Sequence, residues 1–370
     1  MGEFKLPSGN TTNRSFELDN LESIFRFHEK YRDLVIVYVV ICLFICVFGA
    51  VSNSICLISI YLYPRLRHRG NILVGHLVLL NVVLCSTVYS LSSVSLLLRG
   101  LRWLYLPPNF CNWVEYYYFC IHCLVWHECF LAMNRFIAVM LPHHYNRIAS
   151  KRAILLTIFL GYLVPFTLNV YASSTTVPTF SANPPFGGCL FNLHSNTIFQ
   201  VIHGVLGVYI PMVVIGVAYS IVCIRVLVTK LYLKQKLTGS MKRRVIMAQM
   251  LFAAFLWFCL TYLPQPILTT FFKSIYLRYP ISYFGVRWAL AFGSSTSSIT
   301  YAMTNKEFRT GMLFVVRCRK GNLAEVKGTL EMGNGTTRGD GANCRSALYS
   351  GRQNKLSKIE VNGNQVDTTN

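Results

Sequence analysis

The chain has 370 residues, of which 53% are apolar and only 13% are charged, about half the charged share of a soluble domain. Its net charge is +21, but the basic residues lie at the ends of apolar segments rather than on one face, which argues against nucleic-acid binding. Only two acidic residues, Glu115 and Glu128, lie between Asp33 and Glu307, so the composition excludes an ordinary soluble protein and predicts one shaped by the lipid bilayer.

The amino-terminal segment, residues 1–33, has no continuous apolar core at its start and is therefore not expected to be a cleaved signal peptide. Two N-glycosylation sequons begin at Asn10 and Asn13, as expected for an extracellular segment. Seven apolar segments follow within 34–304, and each exceeds the ~20 residues that a helix needs to cross a bilayer. Their hydrophobicity is continuous rather than alternating, so the predicted fold is an all-α bundle of seven transmembrane helices. Numbered one to seven in chain order, the predicted spans are 34–63, 71–98, 109–141, 152–172, 197–231, 243–272 and 281–303.

The charges of the connectors predict the orientation of the bundle. The first, third and fifth connectors and the segment after span seven carry most of the Lys and Arg, which places them in the cytoplasm. An odd number of spans then puts the amino terminus outside the cell, in agreement with the sequons at Asn10 and Asn13. The sequence therefore predicts a multi-pass plasma-membrane protein with an extracellular amino terminus, in which a third sequon at Asn334 is cytoplasmic and unused.

The segment after span seven has two parts. Residues 305–318 form a predicted amphipathic helix on the inner membrane face, with Phe308 and Met312 on its apolar side. Cys318 ends this helix and is either a palmitoylation site or an inert thiol. Residues 319–370 are rich in Gly, Asn, Ser and Thr, which predicts a disordered cytoplasmic tail with hydroxyls that could be phosphorylated.

Short motifs occur in a fixed order along residues 34–318. In chain order, they are Gly49 to Asn53, Asn134-Arg135-Phe136, Pro211 with Tyr219, Phe258 to Pro264, Ser297 to Tyr301, and Phe308-Arg309. Together these motifs resemble those of the rhodopsin-like (class A) G-protein-coupled receptors. The Asn-Arg-aromatic ending of span three is also similar to melatonin-type receptors and to the insect "trapped in endoderm" orphan receptors.

The resemblance implies a cell-surface receptor that binds an extracellular ligand inside the bundle. Such a receptor is expected to activate a heterotrimeric G protein when the cytoplasmic end of span six opens, and arrestin is expected to bind its phosphorylated tail. It also implies a disulfide between Cys111 and Cys189 at the outer face. The implied switch residues are Asn134, Arg135, Phe136, Tyr219 and Tyr301, and the implied hinge residues are Phe258, Tyr262 and Pro264.

Several positions depart from the family pattern. Asn134 replaces the acid that pairs with the arginine, and no intracellular loop contains an acid, so a loop-to-loop ion lock on Arg135 is impossible. We therefore expect a weakly restrained resting state with measurable basal signalling. Asn81 stands where the family carries a sodium-coordinating Asp, and Ser297-Ser298 replace its Asn-Pro pair.

Glu128 lies on span three, seven residues before Arg135 and about 10 Å from it along nearly the same helix face. One hypothesis is that Glu128 replaces the missing acid, lies near Asn81 and Tyr301, and makes the switch sensitive to pH. The alternative is a permanently neutral, hydrogen-bonded carboxyl without a switching role. The predicted polar core comprises Asn53, Asn81, Glu128, Ser297 and Ser298.

The resemblance places a ligand pocket among the outer ends of spans three, five, six and seven. Tyr117 occupies the position of the Asp that binds amines, and span seven has no lysine for a retinal Schiff base, so neither a monoamine nor retinal is expected. Arg287 suits an amphipathic ligand with an anionic or carbonyl group, or else it pairs with Glu115 or snorkels to the outer interface. The predicted pocket residues are Glu115, Tyr117, His203, Gln265, Arg287 and Trp288.

Other function classes remain open. The sequence shows no nucleophile–base pair, Walker loop or metal-ligand cluster, so we expect neither an enzyme nor a bound cofactor or metal. The intramembrane residues His76, His122 and His127 are expected to be hydrogen-bonded core histidines. A non-coupling receptor-like scaffold or scavenger is the main alternative, since the family's sodium Asp and Asn-Pro pair are missing. A transporter or channel is disfavoured because no internal repeat is visible.

Overall fold

The computed structural model of the chain describes residues 11–67, 70–101, 108–141, 143–173, 180–191, 197–232, 252 and 254–317. An amino-terminal helix, Thr11–Lys30, precedes span one, Arg32–Leu62, which ends at a short 3-10 turn, Pro64–Leu66. Span two consists of Gly70–Val83, a π-helical turn Leu84–Val88 and Tyr89–Arg99. A 3-10 segment, Pro108–Trp113, leads into span three, Val114–Met140, and the short helix Tyr145–Ile148 precedes span four, Lys151–Ser173.

The remaining elements begin with a β-hairpin at the end of the bundle that the sequence predicts to be extracellular, which is called the outer end. Its strands are Phe180–Asn183 and Gly188–Phe191. Span five consists of Thr197–Gly204, a π-helical turn Val205–Tyr209 and Ile210–Tyr232. Span six is helical over 254–262 and continues as Pro264–Phe271 and Lys273–Arg278, and span seven is Pro280–Thr304. The inner-face helix covers 306–317.

Five of the described helices, spans one to five, are long and apolar enough to cross a bilayer. Span seven has sufficient length, but its run of small polar residues around Ser294 lowers its hydropathy. The polar side of span seven packs along span one rather than toward lipid. At this contact, Asn53 Nδ2 of span one donates to the Ser294 carbonyl at 3.0 Å. The bounds agree closely for span one, for which the sequence predicts 34–63 and the helix is Arg32–Leu62. The predicted start of span six, at 243, lies outside the described residues.

The core lies between the helices, and the outer surfaces of the bundle are apolar. Leu77, Leu124 and Ile215 are fully buried at the contacts of spans two, three and five. On span one, by contrast, Phe44 is 75% exposed and Val40 is 61% exposed. Side chains of this kind have no exposure penalty when they face lipid, which agrees with a membrane environment.

The hairpin and the amino-terminal helix cover the outer end of the bundle. Phe186, in the hairpin turn, is 1% exposed and contacts Phe27 of the amino-terminal helix and Tyr283 of span seven, with ring centroids 4.9 and 4.4 Å apart. His28 Nε2 lies 3.0 Å from the Phe186 carbonyl oxygen. Gly187 has φ of 79°, a left-handed conformation that favours glycine. The sequence did not predict this hairpin or the packing of the amino-terminal helix.

Candidate ligand and coupling sites

A small outer cavity lies beneath the hairpin. Its volume is about 10 Å³, room for roughly one water molecule. The side wall comes from spans two, three, six and seven, and the roof comes from the hairpin. The lining residues are Ser92, Ser95, Trp113, Val114, Tyr117, Tyr118, Gly188, Cys189, Gln265 and Arg287.

Arg287 is the charged group of this cavity. Its Nη1 donates to Ser92 Oγ at 3.0 Å, and its guanidinium lies 4.4 Å from the centroid of the Tyr283 ring. Within the described residues, Arg287 makes no ion pair, and its buried Nε has no hydrogen-bond partner. In the structure, therefore, Arg287 neither pairs with Glu115 nor extends to the outer interface.

Three predicted pocket residues line this cavity, and the other three do not. Tyr117, Gln265 and Arg287 line it, and the Tyr117 hydroxyl donates to Gln265 Oε1 at 3.4 Å. Trp288 points toward span one instead, where its Nε1 donates to the Tyr38 carbonyl at 3.2 Å. Glu115, in the first turn of span three, is also absent from the lining.

His203 is the third predicted pocket residue that does not line the outer cavity. The rotation of span five turns its side chain toward span four. Its Nε2 donates to Asn169 Oδ1 at 3.1 Å, and Asn169 Nδ2 lies 3.4 Å from His122 Nδ1. The two imidazoles are 4.4 Å apart, centroid to centroid. Gly207 permits this approach, since a Cβ there would overlap the His122 ring.

The other intramembrane histidines are also packed in the core. His127 Nδ1 donates to the Cys123 carbonyl at 2.8 Å, and His76 Nδ1 lies 3.5 Å from the Tyr162 hydroxyl. Within the described part of the chain, no group of three or more His, Cys, Asp or Glu is placed to hold a metal ion.

A second cavity, of about 40 Å³, lies deeper in the bundle, and its volume could hold a few water molecules. Asn81 Nδ2 donates to Ser297 Oγ at 3.2 Å, while the buried Asn81 Oδ1 and Ser298 Oγ have no partner among the described residues. Asn53 lies nearby on span one and donates to the Gly49 carbonyl at 2.8 Å. The lining residues are Asn81, Leu124, Glu128, Ala254, Trp257, Phe258, Thr261, Tyr262, Gly293, Ser297, Thr300 and Tyr301.

Glu128 faces this inner cavity from span three, together with Asn81 and Tyr301. Three tyrosines lie within electrostatic range of the Glu128 carboxyl: Tyr219 of span five, Tyr262 of span six and Tyr301 of span seven. None of the residues that the structure describes hydrogen-bonds its carboxyl. The proximity to Asn81 and Tyr301 is as the sequence predicts, and the switching role stays a prediction.

The inner end of span three carries the Asn-Arg-Phe motif. Arg135 has a buried Nε without a partner and makes no ion pair within the described residues, and Asn134 Nδ2 is likewise unpartnered. Phe136 packs against the main core. Tyr219 is buried beside Phe255, with ring centroids 5.7 Å apart.

Tyr219 and Tyr301 both lie within electrostatic range of Arg135. Tyr301 in turn stacks on Phe308 of the inner-face helix at 5.7 Å. This contact links the motif on span three, through span seven, to the helix that follows it.

The predicted hinge residues lie together on span six. The rings of Phe258 and Tyr262 stack with centroids 4.4 Å apart, and the Tyr262 hydroxyl hydrogen-bonds Ser294 Oγ of span seven. The helix is interrupted at Leu263, and Pro264, which has no N–H, begins the outer segment. The hinge role itself stays a prediction.

The outer disulfide is present, whereas most modification sites cannot be placed. Cys111 and Cys189 are bonded, with their Cα atoms 5.4 Å apart, and join the hairpin to the start of span three. Asn13 lies in the amino-terminal helix. Asn10, Cys318 and the tail lie outside the described residues.

Comparison with known proteins decides the family. The family model described as "7 transmembrane receptor (rhodopsin family)" matches residues 52–279, from the middle of span one to the residue before span seven. The chain belongs to the rhodopsin family of seven-transmembrane receptors. A receptor of this family is a multi-pass membrane protein, so spans six and seven complete the bundle, although among the helices that the structure describes only five are long and apolar enough to cross a bilayer.

Two curated relatives of this rhodopsin-family receptor are distant. Dopamine receptor 1 of Drosophila melanogaster is 25% identical over 198 residues, which are 51% of this chain and 38% of that protein. Melatonin receptor type 1A of Mus musculus is 23% identical over 277 residues, which are 73% of this chain and 77% of that protein.

Sequence reasoning did not assign Arg99, Trp113 or Tyr118 to a site. Arg99 Nη2 donates to Cys111 Sγ at 3.1 Å and lies 3.5 Å from Cys189 Sγ, directly behind the outer cavity. The signal that could have found Arg99 is the charge imbalance of the outer loops, which contain cations and no acid.

Proposed function

We propose that this receptor activates a heterotrimeric G protein by nucleotide exchange when an extracellular ligand bound in the bundle opens the cytoplasmic end of span six. The observation that carries the proposal is Arg135, a cation at the inner end of span three that has no acidic partner within the described residues. Such a group is free to exchange its phenolic neighbours for a protein partner. Arrestin is proposed to bind the phosphorylated tail.

The proposed ligand site is the outer cavity, and the proposed ligand is not a monoamine. One relative is named a dopamine receptor. In this chain, Tyr117 rather than an acid faces the cavity, and the charged group of the lining is the cation Arg287. A ligand ammonium would be repelled there instead of paired.

The test is nucleotide exchange on a panel of heterotrimeric G proteins in membranes that contain the full-length receptor. The wild-type receptor is expected to raise basal exchange severalfold over membranes without it, because none of the described residues offers Arg135 an acidic partner. Arg135→Ala is expected to lower the signal to background. The matched control is Arg147→Ala, which alters an exposed arginine on the same predicted face.

Equal exchange by wild type and Arg135→Ala would contradict the proposal and favour the non-coupling scaffold. That alternative draws its support from Ser297 and Ser298, which replace the family's Asn-Pro pair. Surface labelling of both variants is needed in the same experiment, so that a loss of signal reflects coupling and not a loss of receptor.

A further inference from the structure

We propose that the outer cavity binds the anionic headgroup of an amphipathic ligand, a carboxylate or a phosphate monoester, with Arg287 as the receiving group and Arg99 as a second cation behind it. The inference rests on the proposed function, because it assigns the ligand class of that same cavity. It is carried by charge, by hydrogen bonding and by the shape of the walls.

The first argument is charge. Arg287 and Arg99 both have a buried Nε, and neither makes an ion pair within the described residues. Between Asp33 and Glu307 the sequence contains only Glu115, which is not among the described lining residues, and Glu128, which faces the inner cavity. Apart from residues 1–33 and from Glu307 and the acids after it, which the sequence predicts to be cytoplasmic, the chain has no other acid to offer these two cations. A buried cation without a counter-charge is costly, and an anionic ligand removes that cost.

The second argument is an excess of donors. Five buried groups at this end of the bundle have no hydrogen-bond partner among the described residues, and each of them can donate. At neutral pH a carboxylate offers only hydrogen-bond acceptors, and a phosphate monoester keeps at most one proton, so either group matches this set of donors. The groups are Arg99 Nε, Trp113 Nε1, the Tyr276 hydroxyl, the Tyr283 hydroxyl and Arg287 Nε.

The third argument is the geometry of the roof. A Cβ at Gly188 would lie 3.2 Å from Arg287 Nη2, and a Cβ at Gly187 would lie 3.6 Å from Arg99 Cδ. The two arginines thus lie under adjacent residues of the hairpin, Gly187 at the end of its turn and Gly188 at the start of its second strand. The Tyr283 ring lies under the Arg287 guanidinium, and the Tyr283 hydroxyl is the atom nearest to a Cβ at Gly188. A headgroup that displaces this turn outward meets both positive charges at once.

The walls favour an amphipathic ligand over a bare ion. Tyr117, Tyr118 and Trp113 line the cavity, and the aromatic cluster of Tyr276, Tyr283 and Phe284 continues beside it. Once the hairpin turn is displaced, these surfaces can bury an alkyl or aromatic body while the arginines hold the headgroup.

The experiment is thermal unfolding of purified full-length receptor in lipid nanodiscs, without G protein. The probes are octanoate, octyl phosphate and inorganic phosphate, with octylamine and octanol as matched cationic and neutral controls. At least one anion is expected to raise the unfolding midpoint by a few degrees when present at about 100 times its dissociation constant. A shift with inorganic phosphate alone identifies a free anion as sufficient, whereas a shift that requires the octyl chain identifies a lipid-like ligand.

Arg287→Gln is expected to abolish the anion-dependent shift, and Arg287→Lys to reduce it, because lysine keeps the charge but not the planar fork. Arg278→Gln, which alters an exposed arginine on the same side, is expected to retain it. If Arg287→Gln does not accumulate in membranes, the Arg287→Lys comparison carries the test. An equal shift with octylamine or octanol, full retention in both Arg287 variants, or no shift with any anion would overturn the inference. Binding is measured without G protein, so failure of coupling and failure of anion binding give separate results.

Discussion

At the scale of single residues, His28 makes a contact with the hairpin that depends on its protonation state. It is buried between the amino-terminal helix and the hairpin, where its Nε2 meets the Phe186 carbonyl. Burial lowers the pKa of His28 below its ordinary value of about 6.5, and the backbone hydrogen bond to Phe186 offsets this only in part. The docked helix therefore binds fewer protons at His28 than the undocked helix does.

Because the pKa of His28 is lower in the docked helix, docking of the amino-terminal helix is expected to weaken in acid. Docking is unaffected above the undocked pKa, weakens as the pH falls below it, and stops changing below the docked pKa. Hydrogen exchange of amides 19–30, corrected for intrinsic rates, should rise between about pH 7.5 and about pH 5.5. His28→Gln should flatten this dependence, and His143→Gln, at an exposed histidine, should not. A wild-type profile that is already flat would contradict the prediction.

Glu128 gives a second prediction at this scale. It faces a cavity with Asn81 and Tyr301, and none of the described residues hydrogen-bonds its carboxyl. We expect Glu128→Gln to flatten the pH dependence of basal nucleotide exchange. Glu115→Gln, at the outer end of the same helix, is the control and should keep the wild-type profile. An unchanged profile in Glu128→Gln would exclude the sensor role.

At the scale of elements, the contact of spans three and five depends on Gly207. A Cβ at this position would overlap His122, which is fixed by Asn169 and packs on His203. Gly207→Ala is therefore expected to destabilise the receptor by about 1–3 kcal/mol, the usual cost of overpacking. Gly285→Ala on span seven is the control, since nothing lies within 4 Å of a Cβ there.

The measurement is the thermal midpoint of the two variants in the same lipid. A fall for Gly207→Ala with little change for Gly285→Ala is the expected pattern. Equal midpoints for both variants would mean that spans three and five are not in the close contact described.

The elements were predictable from the sequence because each span is a long apolar run, and the Cys111–Cys189 pair followed from the family resemblance. Side-chain direction was less accessible. His203 and Trp288 were assigned to the ligand pocket, but the rotation of spans five and seven turns them toward Asn169 and Tyr38. That rotation is set by packing between helices, which no single-chain pattern encodes.

The packing of the outer cover was also beyond the sequence. Phe27 and His28 lie in a polar segment with no sustained apolar period, so their burial arises only when the hairpin turn at Phe186 is present. The place of Arg99 behind the disulfide depends on where Cys189 is held. These features need contacts between segments that are far apart in the chain.

At the scale of the whole molecule, every assignment depends on one orientation. The outer cavity, the disulfide and the amino-terminal helix must face the medium, and Arg135 with the inner-face helix must face the cytosol. The basic connectors predict this arrangement, since cytoplasmic loops carry the excess of Lys and Arg.

Antibody access to epitope tags at the two termini of the full-length receptor, on intact and then on permeabilised cells, tests this claim most directly. The amino-terminal tag should be labelled on intact cells, and the carboxyl-terminal tag only after permeabilisation. Labelling of both tags on intact cells, or of neither, would contradict the odd number of spans and with it the placement of ligand and G protein on opposite faces.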